Sequence, residues 1–538
     1  MHSKHIKHTL TRAGALLLAA GMGVSLLGLT GCRKDDGAGK VINYPVEEAP
    51  RRLDPAVARS SEELLVVGNC MEGLVREDAD GRLVPGVAEK WETSADGLAL
   101  TFHLRKDSHW RLPGGAQALL GDEGLRAMGA QAPAEEKAPV YAPVTAGDFV
   151  FGLRRAVSPE VNAPDAAGLL AIADVRAADR FTLEIMLEKP GGDAFLYALA
   201  RSAAMPCNRV YFEACGGRYG LEPKYLPCNG PFYLEKMGES LTRLKPNEGY
   251  SDSGGALPAT VNLWTEPDAF LRARLLGTEY DAAIVPADFA ASAPEGTESR
   301  ELKNATLALV FNCGAGALED VSVRVALCAA LEPGALGFDT AAVAGLLPDG
   351  MRAGGANYRE KAGPAEGIAY NPARANALAE NAREKIVLRL LCAPEHETLM
   401  RRALQAWQKV FRLGLAAQIE TPEPEELEER LEAGDFDVAV VNLKLEHAAA
   451  AQALRALEGA GSPARYQSAA LETLLAAAAQ SGDTVRACRQ AEEHLLQNGV
   501  YYPLEARSGR LLVASGVEGL EVSPVGDRVF FGGVRKWD

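Results

Sequence analysis

After residue 32 this chain of 538 residues carries eight cysteines: Cys70, Cys207, Cys215, Cys228, Cys313, Cys328, Cys392 and Cys488. An even number of thiols permits disulfides where the compartment is oxidising. Cys207, Cys215 and Cys228 fall within 22 residues and could staple a local loop, but no spacing is the CxxC of a zinc site. Each thiol reads equally well as a small buried hydrophobe. His103 and His109 have no third ligand at metal-binding spacing and read as ordinary strand and turn histidines. Carboxylates are abundant, yet no pair stands out as acid and base, and the run Glu423 to Glu429 reads as a solvated helix start favoured by the helix dipole. The chain contains no Gly-x4-Gly-Lys-Ser/Thr loop, no Gly-x-Ser-x-Gly elbow and no His-Glu-x-x-His helix. These residues predict binding rather than turnover: no enzyme, no catalytic or metal-ligating residues, and no cofactor.

A ninth cysteine has a different setting. Lys4, Lys7 and Arg12 precede an almost wholly apolar stretch from Ala13 to Leu27, after which comes Leu29-Thr30-Gly31-Cys32. That stretch is shorter than the roughly 20 residues a helix needs to cross a bilayer, and it suits the hydrophobic region of a secretory signal. The tetrapeptide resembles the bacterial lipobox, in which cleavage precedes a cysteine that receives a lipid through its thioether. Cys32 is therefore the expected lipidation site, with the mature protein anchored to the outer face of the membrane and not spanning it. Residues 33–40 are polar and contain glycine, as a tether would.

The elements behind the tether must build a large core. Length predicts about three domains or lobes, and 47% hydrophobic with 24% charged residues is ordinary globular composition. The net charge is −16, and the three N-terminal cations make the remainder more acidic still. A nucleic-acid partner is not expected, because phosphates require clustered Lys and Arg. Val41 to Tyr44 predicts a first strand, Leu98 to Leu104 a half-buried one, and Phe181 to Leu187 another. Residues 112–143 turn to Ala, Gly, Pro and Glu with little periodicity, which predicts a surface insertion. Thr145 to Asp148 then reads as a capping box that opens a helix. Val321 to Leu331 and Leu399 to Leu413 are amphipathic helices. The apolar runs Ile386 to Leu391 and Asp437 to Leu443, separated by helical pattern, predict an α/β unit with a mostly parallel sheet. Ala448 to Leu457 and Leu471 to Ala479 are Ala-rich helices, and Val500 to Phe531 is strand-like.

Taken together, these segments resemble family 5 of the extracellular solute-binding proteins, the binding components of oligopeptide, dipeptide and nickel importers. The resemblance rests on Leu53-Asp54-Pro55, Glu72-Gly73-Leu74, Asp80-Gly81, Pro85-Gly86-Val87-Ala88-Glu89 with Trp91, Asp96-Gly97, Thr101-Phe102-His103-Leu104-Arg105 with Trp110, and Pro143 to Phe149. Asn229-Gly230-Pro231-Phe232, Phe311-Asn312, Asp320-Val321 and Arg324 to Leu327 continue it. It implies a periplasmic-binding-protein type II fold: two α/β lobes around a ligand cleft, an extra subdomain inserted in the first lobe, and closure about a hinge. The implied division is signal 1–31, tether 32–40, first lobe 41–66, 203–306 and 498–538, inserted subdomain 67–202, and second lobe 307–497. Most motif positions (Asp54, Gly73, Gly81, Trp91, Asp96, Gly230) read as turn, cap and packing residues.

In peptide binders of this family a Phe-Asp-Val element leads to Trp-x-Ala-Asp-Tyr, whose aspartate pairs with the peptide's amino group. Counting on from Phe436-Asp437-Val438 places Leu443 at the tryptophan, Glu446 at the aspartate and His447 at the tyrosine. The resemblance thus implies ligand contacts at Asn442, Leu443, Glu446 and His447. Glu446 could capture an ammonium group, or could simply open the Ala-rich helix. The extended residues Ala49 to Leu53, with Arg51, Arg52 and Leu53, could add backbone hydrogen bonds to a peptide. The implied role is a monomeric lipoprotein that captures peptides and delivers them to ABC permease subunits. A carrier of a metal chelate or other small solute, a ligand-sensing or chaperone lipoprotein, and a secreted hydrolase stay open as alternatives.

Overall fold

The computed structural model describes residues 39–132, 138–164, 166–251, 257–314, 316–338, 343–380, 386–444, 448–459, 461–480, 483–523 and 528–537. The basic segment, the apolar stretch and Cys32 therefore lie outside the described residues.

The chain begins its first sheet at once. Val41–Val46 pairs parallel with Thr260–Thr265, and Leu241–Pro246 and Phe232–Lys236 extend the sheet antiparallel. Between the first strand and its partner the chain makes a second, all-antiparallel sheet in the order Ala88–Thr93, Ala99–Leu104, Thr182–Leu187, Ile172–Asp179. In Ala99–Leu104 every second side chain is buried, as the alternation of Leu100, Phe102 and Leu104 requires. The helix Ala146–Ala156 starts at the predicted capping box: Thr145 N–H donates to Asp148 Oδ2 at 2.8 Å.

The described residues of the expected insertion 112–143 carry regular structure. Between the paired strands His109–Leu112 and Val140–Pro143 lies the helix Ala116–Ala127, which is kinked at Gly121. Leu125, Met128 and Ala130 are buried in the first-lobe core. The non-helical backbone at Gly121 (φ 64°, ψ 178°) breaks the helix after five residues, so no continuous period of 3.6 is legible there.

The largest sheet has six strands in the order Ala282–Pro286, Tyr501–Val513, Glu298–Phe311, Val438–Lys444, Ile386–Leu391, Leu415–Glu420, and runs from the first lobe into the second. The last three strands run parallel, as the strand-helix-strand pattern predicts, but the rest pair antiparallel, so the sheet is mixed rather than mostly parallel. Both faces are covered. Ala308, Val310, Ala439, Val441 and Leu443 enter one core, and Leu307, Leu309, Phe311, Val438 and Val440 the other. Strands buried on both faces read as continuous apolar runs, which is how they appear in the sequence.

Glu298–Phe311 and Tyr501–Val513 are longer than the other strands because they belong to both lobes. Leu302, Leu511 and Val513 lie in the first-lobe core, whereas Leu307 to Phe311 and Tyr501 to Leu504 lie in the second. Their register shifts between Lys303 and Ala305 and again between Leu307 and Ala308. A bulge interrupts the ladder and bends the strand, and here it falls at the crossing point.

Candidate functional site

The residues that carry the sequence motifs mostly hold one another. Glu72, from Glu-Gly-Leu, is buried, accepts Arg105 Nη2 at 2.7 Å and accepts the Tyr250 hydroxyl at 2.8 Å. Arg105 belongs to the Thr-Phe-x-Leu-Arg strand, so two motifs distant in sequence meet as one ion pair. Asn229, from Asn-Gly-Pro-Phe, completes the knot by exchanging hydrogen bonds with the Glu72 backbone at 3.1 and 2.9 Å. Asp148 likewise takes Trp110 Nε1 at 3.2 Å and Asn208 Nδ2 at 2.7 Å; burial nevertheless pushes its carboxyl above the usual value. Asp54 is clamped by Arg155 at 2.6 and 3.2 Å. Asn312 ties the strand end to Gly434 O and Phe436 O, and Arg324 donates to three backbone carbonyls. These are framework residues, as the turn-and-packing reading expects.

Gly220 and Gly230 mark where backbones approach too closely for a side chain. Gly220 sits at φ +73°, and a Cβ there would come within 2.3 Å of Asp54 N; one on Gly230 would come within 2.8 Å of the Cys70 carbonyl carbon.

Ligand chemistry has to be sought where both lobes meet. At the crossing strands a cavity of about 370 Å³ is bounded on the first-lobe side by Glu47, Arg272, Val285, Pro286 and Asp288, on the second-lobe side by Asn442 and Lys444, and between them by Ala305, Glu505 and Arg507 of the crossing strands. Its charges are balanced. Arg272, largely buried, lies 3.7 Å from Glu47, and Arg507 lies 2.9 Å from Glu505, which leaves Asp288 and Lys444 as exposed groups of opposite sign on opposite lobes. A polar cleft of this kind accepts a ligand that carries both charges. A second cavity of about 350 Å³ lies among helix Ser61–Cys70, residues 71–77, Ser202, Met205, Tyr250 and the C-terminal strands, away from the crossing strands.

Away from the hinge the lobes also touch. The turn after Asp78 docks on the second lobe, where the Arg352 guanidinium donates twice to Asp80 O, through Nε at 2.8 Å and through Nη2. Tyr197 donates to Gly81 O at 2.8 Å while its ring packs into a second-lobe core.

Of the residues expected at the site, Asn442 lines the cavity and is exposed. Leu443 does not face the cleft: it is 6% exposed, on the sheet face that packs against the helices Ala450–Ala456 and Thr484–Gln497. Leu53 is fully buried in the first-lobe core. Its N–H donates to Gly220 O at 2.9 Å and that of Arg52 to Glu63 Oε1 at 2.9 Å, so these two donors serve the fold and are not free for a peptide backbone. The side chains of Arg51 and Arg52 are exposed. Glu446 and His447 lie outside the described residues; Lys444, just before them, lines the cavity. Glu47, Arg272, Asp288, Glu505 and Arg507 were not legible as site residues, because ordinary charged residues become a site only where crossing strands bring them together. Cys207, Cys215 and Cys228 do not staple their loop: Cys207 faces Arg155, Cys215 faces the Tyr225 carbonyl, and Cys228 meets Cys70.

The model of bacterial extracellular solute-binding proteins, family 5 middle, matches residues 82–459. The oligopeptide-binding protein AmiA of Streptococcus pneumoniae is 30% identical over 274 residues, which cover 47% of this chain and 37% of that protein; the matched stretch thus spans little more than a third of this relative. Among solved structures, the substrate-binding domain of an oligopeptide ABC transporter from Bacillus anthracis superposes with a TM-score of 0.69 at 20% identity, covering 93% of this chain and 99% of the other. Haemophilus influenzae OppA in complex with the peptide RPPGFSPFR gives 0.69 at 20% identity, again over 93% and 99%. The fold is the periplasmic-binding type II fold, with two α/β lobes about a cleft and an extra subdomain in the first. The chain belongs to family 5 of the bacterial extracellular solute-binding proteins.

Proposed function

We propose that this protein captures peptides outside the cell membrane, in the cleft between its lobes, and presents them to the permease subunits of an ABC importer. The observation that carries this reading is the interlobe cavity at the bulged crossing strands, with exposed groups of opposite charge on its two walls, since a peptide brings an ammonium and a carboxylate group. The resemblance of the chain to oligopeptide-binding proteins supports it. Glu446 is the proposed ammonium partner and Asn442 a lining polar group; Cys32 is the proposed lipid attachment, and the 33–40 segment the tether. The lobe boundaries implied by the family motifs are part of the same proposal.

The test is native mass spectrometry of the protein as purified, followed by denaturation and identification of whatever is released. A mixture of short peptides is the expected result, and Glu446→Ala should then weaken binding, about tenfold or more for loss of a charge-assisted hydrogen bond of about 1.5–3 kcal/mol. A metal chelate or a single non-peptide molecule would overturn the peptide assignment. Retention of full affinity by Glu446→Ala would overturn the role of Glu446 alone.

A further inference from the structure

Two cysteines that are far apart in sequence share one buried site. Cys70 ends the helix Ser61–Cys70, Cys228 lies just before the strand Phe232–Lys236, and both are at most 1% exposed. Both are free thiols that lie close enough to interact directly, and the Cys228 thiol also donates to Leu226 O at 3.6 Å. Their chains are in contact as well: Gly230 N–H donates to Cys70 O at 2.9 Å, and even a single added carbon on Gly230 would meet the Cys70 carbonyl carbon at 2.8 Å.

We propose that Cys70 and Cys228 close a disulfide bond in an oxidising compartment. The proposal rests on the export reading above for where that oxidation happens, and on the geometry for which thiols take part. Chemically, a thiol–disulfide exchange partner or a small disulfide such as oxidised glutathione supplies the oxidising equivalents. One thiolate attacks its sulfur and displaces a thiol; the other then attacks the mixed disulfide. The two protein thiols lose two protons and two electrons, one S–S bond forms here, and the oxidant's S–S bond leaves as two thiols.

The position gives the bond a purpose. Just after Cys70 the chain leaves the first-lobe helix for the inserted subdomain, and just after Cys228 it enters the first-lobe sheet. Cys228 also exchanges both backbone hydrogen bonds with Arg111 of the insertion hairpin, at 2.7 and 3.1 Å. A bond here ties the neck of the subdomain and closes the whole loop 70–228, a long loop whose closure restricts the unfolded chain strongly. It leaves the crossing strands, and so the hinge, unconstrained. None of the other cysteine pairs proposed from spacing has this property.

The experiment alkylates the full chain isolated from its own cells in denaturant without reductant, digests it and maps the cysteines. The expected result is one linked pair of peptides containing Cys70 and Cys228, with Cys207, Cys215 and Cys313 alkylated as free thiols, and a melting temperature that reductant lowers in the natural protein but not in Cys70→Ala. Refolding the reduced chain in a glutathione redox buffer separates the two readings: a Cys70–Cys228 link on refolding but not in the chain isolated from its own cells supports the pair and counts against export. Free thiols at both positions after both treatments, or a link from Cys228 to Cys207 or Cys215, overturn the proposal.

Discussion

At the residue scale, the buried ion pairs decide what substitution costs. Arg155 and Asp54 are each about one-tenth exposed in their side chains and meet at 2.6 Å. Removing one partner strands the other charge, so Arg155→Met is expected to cost about 3–5 kcal/mol, read as a lowered urea midpoint, whereas an exposed Arg82→Met should cost less than about 1 kcal/mol. His494 is a titration probe. Its Nε2 lies 2.9 Å from the Tyr466 hydroxyl and 3.3 Å from that of Ser468, and burial lowers its pKa below the usual 6.5. A histidine depressed in the folded state binds its proton more weakly folded than unfolded, so its contribution is present above about pH 6.5 and is lost as pH falls through the depressed value. Thermal melts across that window should show stability falling with acid, and His494→Gln should flatten the dependence; an unchanged slope would remove the histidine from the account. The residue types Asp54, Glu72 and Arg105 were legible as motif members, but which of them pair was not, because the partners lie on strands and helices that only the fold juxtaposes.

At the scale of elements, local chemistry was the most legible. The helix Ser61–Cys70 has a capping box in which Ser60 Oγ accepts Glu63 N–H at 3.2 Å and the Glu63 carboxylate accepts the Ser60 N–H at 3.4 Å. Ser60→Ala should cost about 1 kcal/mol, visible in thermal or chemical denaturation, and Ser60→Asp should largely restore it. The box at Thr145 could be read directly from the sequence because its groups are three residues apart. The helix Ala116–Ala127 could not, since Gly121 interrupts it and its small residues carry little periodic signal. Strand Leu415–Glu420 escaped for the opposite reason: it follows the helix Glu397–Phe411 with only Arg412–Gly414 between, so one pattern runs into the next.

For the whole molecule the decisive contacts are those that appear only when the lobes approach. Arg352 holds the turn at Asp80 from across the cleft. Arg352→Ala should release about 1 kcal/mol of closed-state preference, since the pair is partly exposed to water, and so weaken ligand affinity roughly fivefold. Small-angle scattering should show a larger radius of gyration for the variant; equal radii and equal affinities would mean that this contact does not bias closure. The motif order, caps, strand alternations and apolar runs that point to two α/β lobes are relations among neighbouring residues, so they can be read along the chain without knowing its path. Tertiary structure alone decided that Leu443 and Leu53 belong to cores, that Asn442 stands with Glu47 and Arg272, and that Cys228 meets Cys70. Contacts such as Asn69 with Val529, 460 residues apart, depend on where the chain returns to itself. That return is set by burial of whole sheet faces, a collective quantity to which no local pattern gives access.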